Sequence, residues 1–334
     1  MGAPIAATEG ISKDIAINAQ QVPIDPAAFE GIGVAEDGLR ALCVSDQQGP
    51  GRELIAELLV ALPAATTLRA RATDGEALLE CRPIHAREPI LLYLHGGGYV
   101  VGNRHICRPL TRWISEDASV RVLSAEYRLA PEHPFPAAVH DALIVYKFLL
   151  QQGFGADRII VGGDSAGGHL VLALTHLVRF MRIAQPAALV LISPVANMSR
   201  NAPSLARNRN YDSLAMSPVE SPISFARMYH RPGRQLTEQL RAELADMLLS
   251  PVNGDFAGFP PTLIQGGSIE LFIDDITELH AAISAQNPDS PDLAVLEAFT
   301  DMPHVFHGLA HRPEAKRATA SIVRFIRRVA EMDS

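Results

Sequence analysis

Cysteine is scarce in this chain. Among its 334 residues only Cys43, Cys81 and Cys107 occur. An odd number at wide spacings, with no Cys-x-x-Cys, excludes a disulfide framework and gives no zinc-site pattern. It predicts buried free thiols in a reducing cytoplasm. Lys and Arg never form a run long enough to make a basic patch, and the formal net charge is −8. Nucleic acid and anionic lipid are therefore excluded as principal partners. Long apolar runs are missing too. Stretches such as "AALVLISPVA" (187–196) are strand-sized, well short of the ~20 residues that cross a bilayer, so no membrane insertion is expected. The opening "MGAPIAATEGISKDI" lacks the charged and apolar regions of a secretory signal. Ala6 stands where a myristoylation motif after Gly2 wants Ser or Thr. These readings together predict a cytoplasmic protein. Internal repeats and low-complexity tracts are absent as well.

What is present is an ordinary globular balance, 48% hydrophobic and 20% charged, on a chain long enough for one large domain or a domain with an insertion. Residues 1–65 mix Ala, Pro and acidic residues, with a plausible helix at "GRELIAELLVAL" stopped by Pro63. "TLRARATDGEALLECRP" reads as a β-hairpin around Asp74-Gly75. From there short apolar strands alternate with helices. Strands are expected at 90–94, 120–127, 158–163, 188–193, 262–267 and 293–300, and helices at about 106–117, 137–151, 166–182, 275–286 and 313–331. This alternation predicts an α/β fold with a mostly parallel central sheet covered on both faces. The interval 196–232 breaks the rhythm: it is polar, Pro-broken and without a buried strand. It reads as an insertion, of the kind that shapes binding sites at strand C-termini.

Two glycine-rich stretches carry the chemistry. "LHGGGYVVG" (94–102) follows a strand. A P-loop would require Lys-Ser/Thr where Asn103-Arg104 stand, and a dinucleotide fingerprint starting at Gly96 would require glycine where Val101 stands. Neither phosphate reading survives. Downstream, Gly163-Asp164-Ser165-Ala166-Gly167 lies between an apolar strand and a helix. That is G-x-S-x-G in the context of a nucleophile elbow, with Ser165 as the nucleophile. Acyl transfer from an ester or amide creates an oxyanion that needs preorganised donors. The residue after the nucleophile, Ala166, supplies one N–H, and Gly96 and Gly97 are expected to supply the others.

At this point the chain resembles the hormone-sensitive-lipase-like family of α/β-hydrolases, which includes bacterial carboxylesterases and arylacetamide deacetylase. The resemblance rests on "HGGGYVVG" (95–102), "YRLAPEHPFPAAVHD" (127–141) and "GDSAGG" (163–168), more loosely on "PPTLIQGGSIELFIDD" (260–275) and "DMPHVFHG" (301–308). It covers roughly 67–330. It implies an α/β-hydrolase fold with a helical cap, here residues 1–65 and 196–232 around a catalytic domain of 66–195 and 233–334. It also implies hydrolysis of short-to-medium acyl esters, no metal or organic cofactor, and a possible homodimer. The alternative from another class is a small-molecule receptor on the same scaffold, as in the plant gibberellin receptor, which has lost the catalytic histidine. An amidase or lactonase would use the same triad.

In α/β-hydrolases the chain order is Ser, then Asp or Glu, then His. The base must lie on the loop after the strand "LAVLEAFT". His304 comes first there, and "MPHVF" resembles a variant of the family motif; His307, in "FHG", is the rival. For the acid, aligning the glycines of "TLIQGG" with the family's Asp-Pro-Leu motif puts Glu270 at the acidic position. Asp274 and Asp275 compete, but sit where the next helix begins, a place where carboxylates serve the helix terminus. His95, Glu132 and His133 are expected to brace loops rather than carry protons.

Overall fold

The computed structural model describes residues 88–212, 229–230 and 247–331, together with the strand residues 44–45, 69–70 and 79–80. Its centre is a seven-stranded sheet in the order β1-β5-β4-β6-β7-β8-β9. The strands are β1 (Val44–Ser45), β4 (Ile90–Leu94), β5 (Arg121–Ala125), β6 (Ile159–Asp164), β7 (Ala188–Ile192), β8 (Thr262–Gly267) and β9 (Ala294–Phe299). From β5 across to β9 every pairing is parallel. Only β1, which lies within the stretch expected as a cap, pairs antiparallel, with β5. A separate hairpin joins β2 (Arg69–Ala70) to β3 (Leu79–Glu80), in a register symmetric about positions 74 and 75.

The alternation of side chains divides the core in two. Ile90, Leu92 and Leu94 of β4 join one cluster, whereas Leu91 and Tyr93 join the other. The first lies under helices α2 (Ala137–Gln151), α3 (Ala166–Phe180) and α5 (Ile273–Gln286); the second lies under α1 (Arg108–Ala118) and α6 (Pro313–Glu331). With both faces covered, β4, β7 and β8 are buried along their whole length, which is why they read as unbroken apolar runs. Helix α6 buries Ala315, Ala318, Ile322 and Ile326, an i, i+3/i+4 stripe typical of a helix laid on a sheet.

Strand β4 has β5 on one side and β6 on the other, so the chain reverses direction of travel at β4. In open α/β sheets ligands bind outside the strand carboxyl ends at such a switch point. The expected insertion begins in the described residues as Ala196–Asp212, with a short helix α4 (Pro203–Arg207). The greater part of residues 1–65, and 213–228, lie outside the described residues, and so does the cap expectation that falls on them. Cys107 is a buried free thiol; Cys43 and Cys81 lie outside.

Candidate active site

Because the strands run parallel, the loops after β4, β6, β8 and β9 all leave one edge of the sheet. Each carries one of the expected site residues. Ser165 follows β6 directly and begins α3 at φ 54°, ψ −118°, a conformation that costs a non-glycine residue energy and persists only where the surroundings enforce it. Its amide donates to Ile192 O, and its carbonyl accepts from His169 and Val195 N–H. A Cβ on Gly167 would overlap the Leu94 carbonyl, so only glycine lets β4, β6 and α3 meet this closely.

His304 stands on the loop after β9. Its Nε2 lies 2.9 Å from Ser165 Oγ, at hydrogen-bond distance. Its ring meets Phe272 edge-on at 5.2 Å between centroids. Burial lowers its pKa below 6.5, opposed by the charge of Asp212. His307 is elsewhere: its Nε2 pairs with Gln265 Oε1 at 2.8 Å inside the core, where burial pulls its pKa down to about 3.

Glu270, on the loop after β8, is fully buried. Its Oε2 is 3.8 Å from His304 Nδ1, too long for a hydrogen bond. Both His304 Nδ1 and Glu270 Oε1 are buried without a hydrogen-bond partner. Oε2 accepts from Ser193 Oγ at 2.7 Å and from Gly267 N–H at 3.1 Å. Burial pushes the Glu270 carboxyl up to about 8, against the pull of those two donors. An imidazolium forming at His304 would favour the ionised form of this carboxyl and draw its pKa back down.

The competing carboxylates are used differently. Asp274 accepts from Ser204 N–H at 2.8 Å and from Arg207 at 2.7 Å. Asp275 faces Arg200 at 3.3 Å. Both occupy the first turn of α5, as expected, yet their partners belong to the insertion rather than to the helix end.

The glycine loop requires one correction. Gly96 N–H, expected to face the oxyanion, donates instead to Asp164 Oδ1 at 3.1 Å. The same oxygen accepts from Tyr93 OH at 3.0 Å. A half-buried carboxylate draws in such donors, and Gly96 is spent on one. Gly97 and Gly98 have φ of 116° and 63°. Among the described residues no hydrogen bond leaves the N–H of Gly97, Gly98 or Ala166. His95 braces this loop: Nδ1 contacts Gly96 O at 2.7 Å, and the ring stacks on Tyr127, 4.3 Å away. Tyr127 OH donates to the His95 carbonyl, and Arg128 grips buried Asp141 with both nitrogen groups. The Pro-rich segment thus holds the glycine loop from behind. Glu132 is exposed.

Sequence reading missed two residues, Ser193 and Asp212. Ser193 sits just past β7 at the active edge, a position that is itself a signal. Asp212 lies in a polar stretch where nothing local distinguishes it.

A serine at a strand–helix elbow, a histidine at its hydroxyl and a buried carboxylate behind, all at strand carboxyl ends, define the α/β-hydrolase class. Comparison with known proteins agrees. A family profile described as the alpha/beta hydrolase fold matches residues 91–308. The chain is 35% identical over 250 residues to an acetyl-hydrolase of Streptomyces hygroscopicus, covering 74% of this chain and 78% of the relative. It is 32% identical over 238 residues to an esterase of Acinetobacter venetianus, covering 71% and 74%. A crystal structure of an esterase from the bacterial hormone-sensitive lipase family is similar with a TM-score of 0.65 at 31% identity, over 92% of this chain and all of that one. The chain belongs to the α/β-hydrolase family, among the bacterial esterases of the hormone-sensitive lipase type, and is a carboxylic ester hydrolase. No helix among the described residues is long and apolar enough to cross a membrane.

Proposed function

We propose that this esterase works through an acyl-enzyme on Ser165, with His304 as general base and Glu270 as the acid that orients it. The observation that carries the reading is the 2.9 Å contact between His304 Nε2 and Ser165 Oγ at a strained elbow. Ser165 Oγ attacks the ester carbonyl carbon while His304 Nε2 takes its proton. The carbonyl oxygen becomes an oxyanion facing the N–H groups of Gly97, Gly98 and Ala166. As the tetrahedral species collapses, the imidazolium returns its proton to the departing alkoxide, releasing the alcohol. Water, deprotonated by the same imidazole, then attacks the acyl-enzyme, and as the acid leaves the imidazolium returns that proton to Ser165 Oγ. His304 Nδ1–H is the donor that Glu270 would accept on closing the 3.8 Å gap; such bonds often tighten only in the reacting complex.

The substrates are short-to-medium acyl esters, supported by the likeness to an acetyl-hydrolase. The parts of residues 1–65 outside β1, together with 196–232, form the cap over the pocket, and the enzyme is a homodimer, as the resemblance implies; its few, widely spaced cysteines suit the cytoplasm. The test is a series of p-nitrophenyl esters of rising chain length, combined with mapping of an organophosphonate label. A label on a residue other than Ser165 would sink the mechanism, and activity confined to long acyl chains would sink the substrate class.

A further inference from the structure

The loop that bears Glu270 belongs to no strand or helix, so its backbone groups need partners from elsewhere. Several of these come from the first part of the insertion. Asn208 Nδ2 donates to Glu270 O at 2.9 Å, and Ser204 Oγ donates to Leu271 O at 2.7 Å. Leu271 N–H donates to Asp212 Oδ2 at 2.7 Å. Asp212 then does something its neighbours do not. Its other oxygen, Oδ1, accepts the backbone N–H of His304 at 3.2 Å. One buried carboxylate, 3% exposed, thus joins the loop of the acid to the loop of the base. Ser193 makes a parallel bridge, donating to Glu270 Oε2 and accepting from Val305 N–H at 3.1 Å. Residues 270–271 and 304–305 are tied together twice, once from the end of β7 and once from the insertion.

We propose that Asp212 is a positioning residue that holds the Glu270 and His304 loops in register, making the insertion part of the catalytic machinery. The proposal rests on the reading of Ser165, His304 and Glu270 given above. Residue type follows from the geometry: two N–H donors converge on one side chain, so it must offer two acceptor oxygens, which an ionised Asp does. Asn would turn an NH₂ group against one of the donors. The negative charge also lies beside the backbone of the residue that becomes an imidazolium. Displacement of a catalytic group by about 1 Å costs about 10²-fold in rate, so a link between these loops bears on turnover rather than on substrate affinity.

The test uses the full chain with Asp212→Asn, Asp212→Ala and, as comparison, Ser204→Ala, which removes bonds to the acid loop and the start of α5 but none to the base loop. Active sites are titrated with an organophosphonate, the label is mapped, and kcat and KM for p-nitrophenyl acetate are expressed per titrated site. Both Asp212 variants should label at Ser165. Their kcat per site should fall about tenfold or more with KM within about threefold, and Ser204→Ala should lose less. The proposal is overturned if kcat per titrated site stays within about twofold of wild type. It is equally overturned if the whole loss appears as missing titratable sites, or if Ser204→Ala costs as much. Labelling elsewhere than Ser165 overturns the underlying mechanism instead.

Discussion

Ser193 Oγ donates to Glu270 Oε2 at 2.7 Å, and that same oxygen is the one 3.8 Å from His304 Nδ1. The hydroxyl therefore shares the carboxylate with the imidazole and pulls the carboxyl pKa down against the push of burial. Ser193→Ala removes this pull and the bridge to Val305. Turnover should drop about tenfold, with KM little changed, because a hydrogen bond to a charged group is worth about 1.5–3 kcal/mol. Steady-state kinetics on p-nitrophenyl acetate checks this; unchanged kcat would contradict it.

Glu270→Gln should lower kcat by about 10²–10⁴ with folding intact. Its stability should move the other way. A carboxyl raised from 4.5 to about 8 in the folded state favours folding below 4.5 and loses that contribution as pH rises through about 8. Wild type should thus lose stability relative to Glu270→Gln as pH rises across that window. Urea titrations at several pH values read this directly, and a pH-independent difference would contradict it.

His304 and His307 separate by environment. His304→Ala should reduce kcat by several orders of magnitude, about 10⁴ or more, and His307→Gln should leave kcat nearly intact. In stability the second matters more. A histidine held neutral, with its pKa lowered from 6.5 to about 3, supports the fold above pH 6.5 and loses that support as pH falls towards 3. His307→Gln should therefore gain on wild type as pH drops below 6.5. A mirror-image kinetic result, with His307→Gln dead and His304→Ala active, would exchange their roles.

The acid limb of kcat/KM should lie below pH 6.5, because burial favours the neutral imidazole of His304 and the neutral form is the base. Activity should persist into mildly acidic buffer. A half-maximum above about pH 7 would show a different group in control.

Removing residues 1–40 spares β1, which begins at Val44. If the removed segment helps cover the pocket, activity should fall most on longer acyl chains, seen as a changed chain-length profile in a protein of unaltered melting temperature. An identical profile would assign that segment to another role.

Much of this protein is legible in one dimension. Strands buried on both faces are apolar along their length, so β4 and β8 stand at the boundaries the residues suggest, and the elbow is written in adjacent residues, Gly163 to Gly167. Local order also puts an acid after β8 and a histidine after β9. What one dimension does not carry is which groups meet. Ser165 and His304 are 139 residues apart; only the parallel sheet, by delivering both loops to one edge, brings His304 to Ser165 and buries its neighbour His307 against Gln265. The same packing spends Gly96 N–H on Asp164 and brings Asp212, unremarkable in its own stretch, between two loops 59 and 92 residues away. Hydrogen bonds act over about 3 Å, so partners this distant in sequence are chosen by the tertiary fold alone.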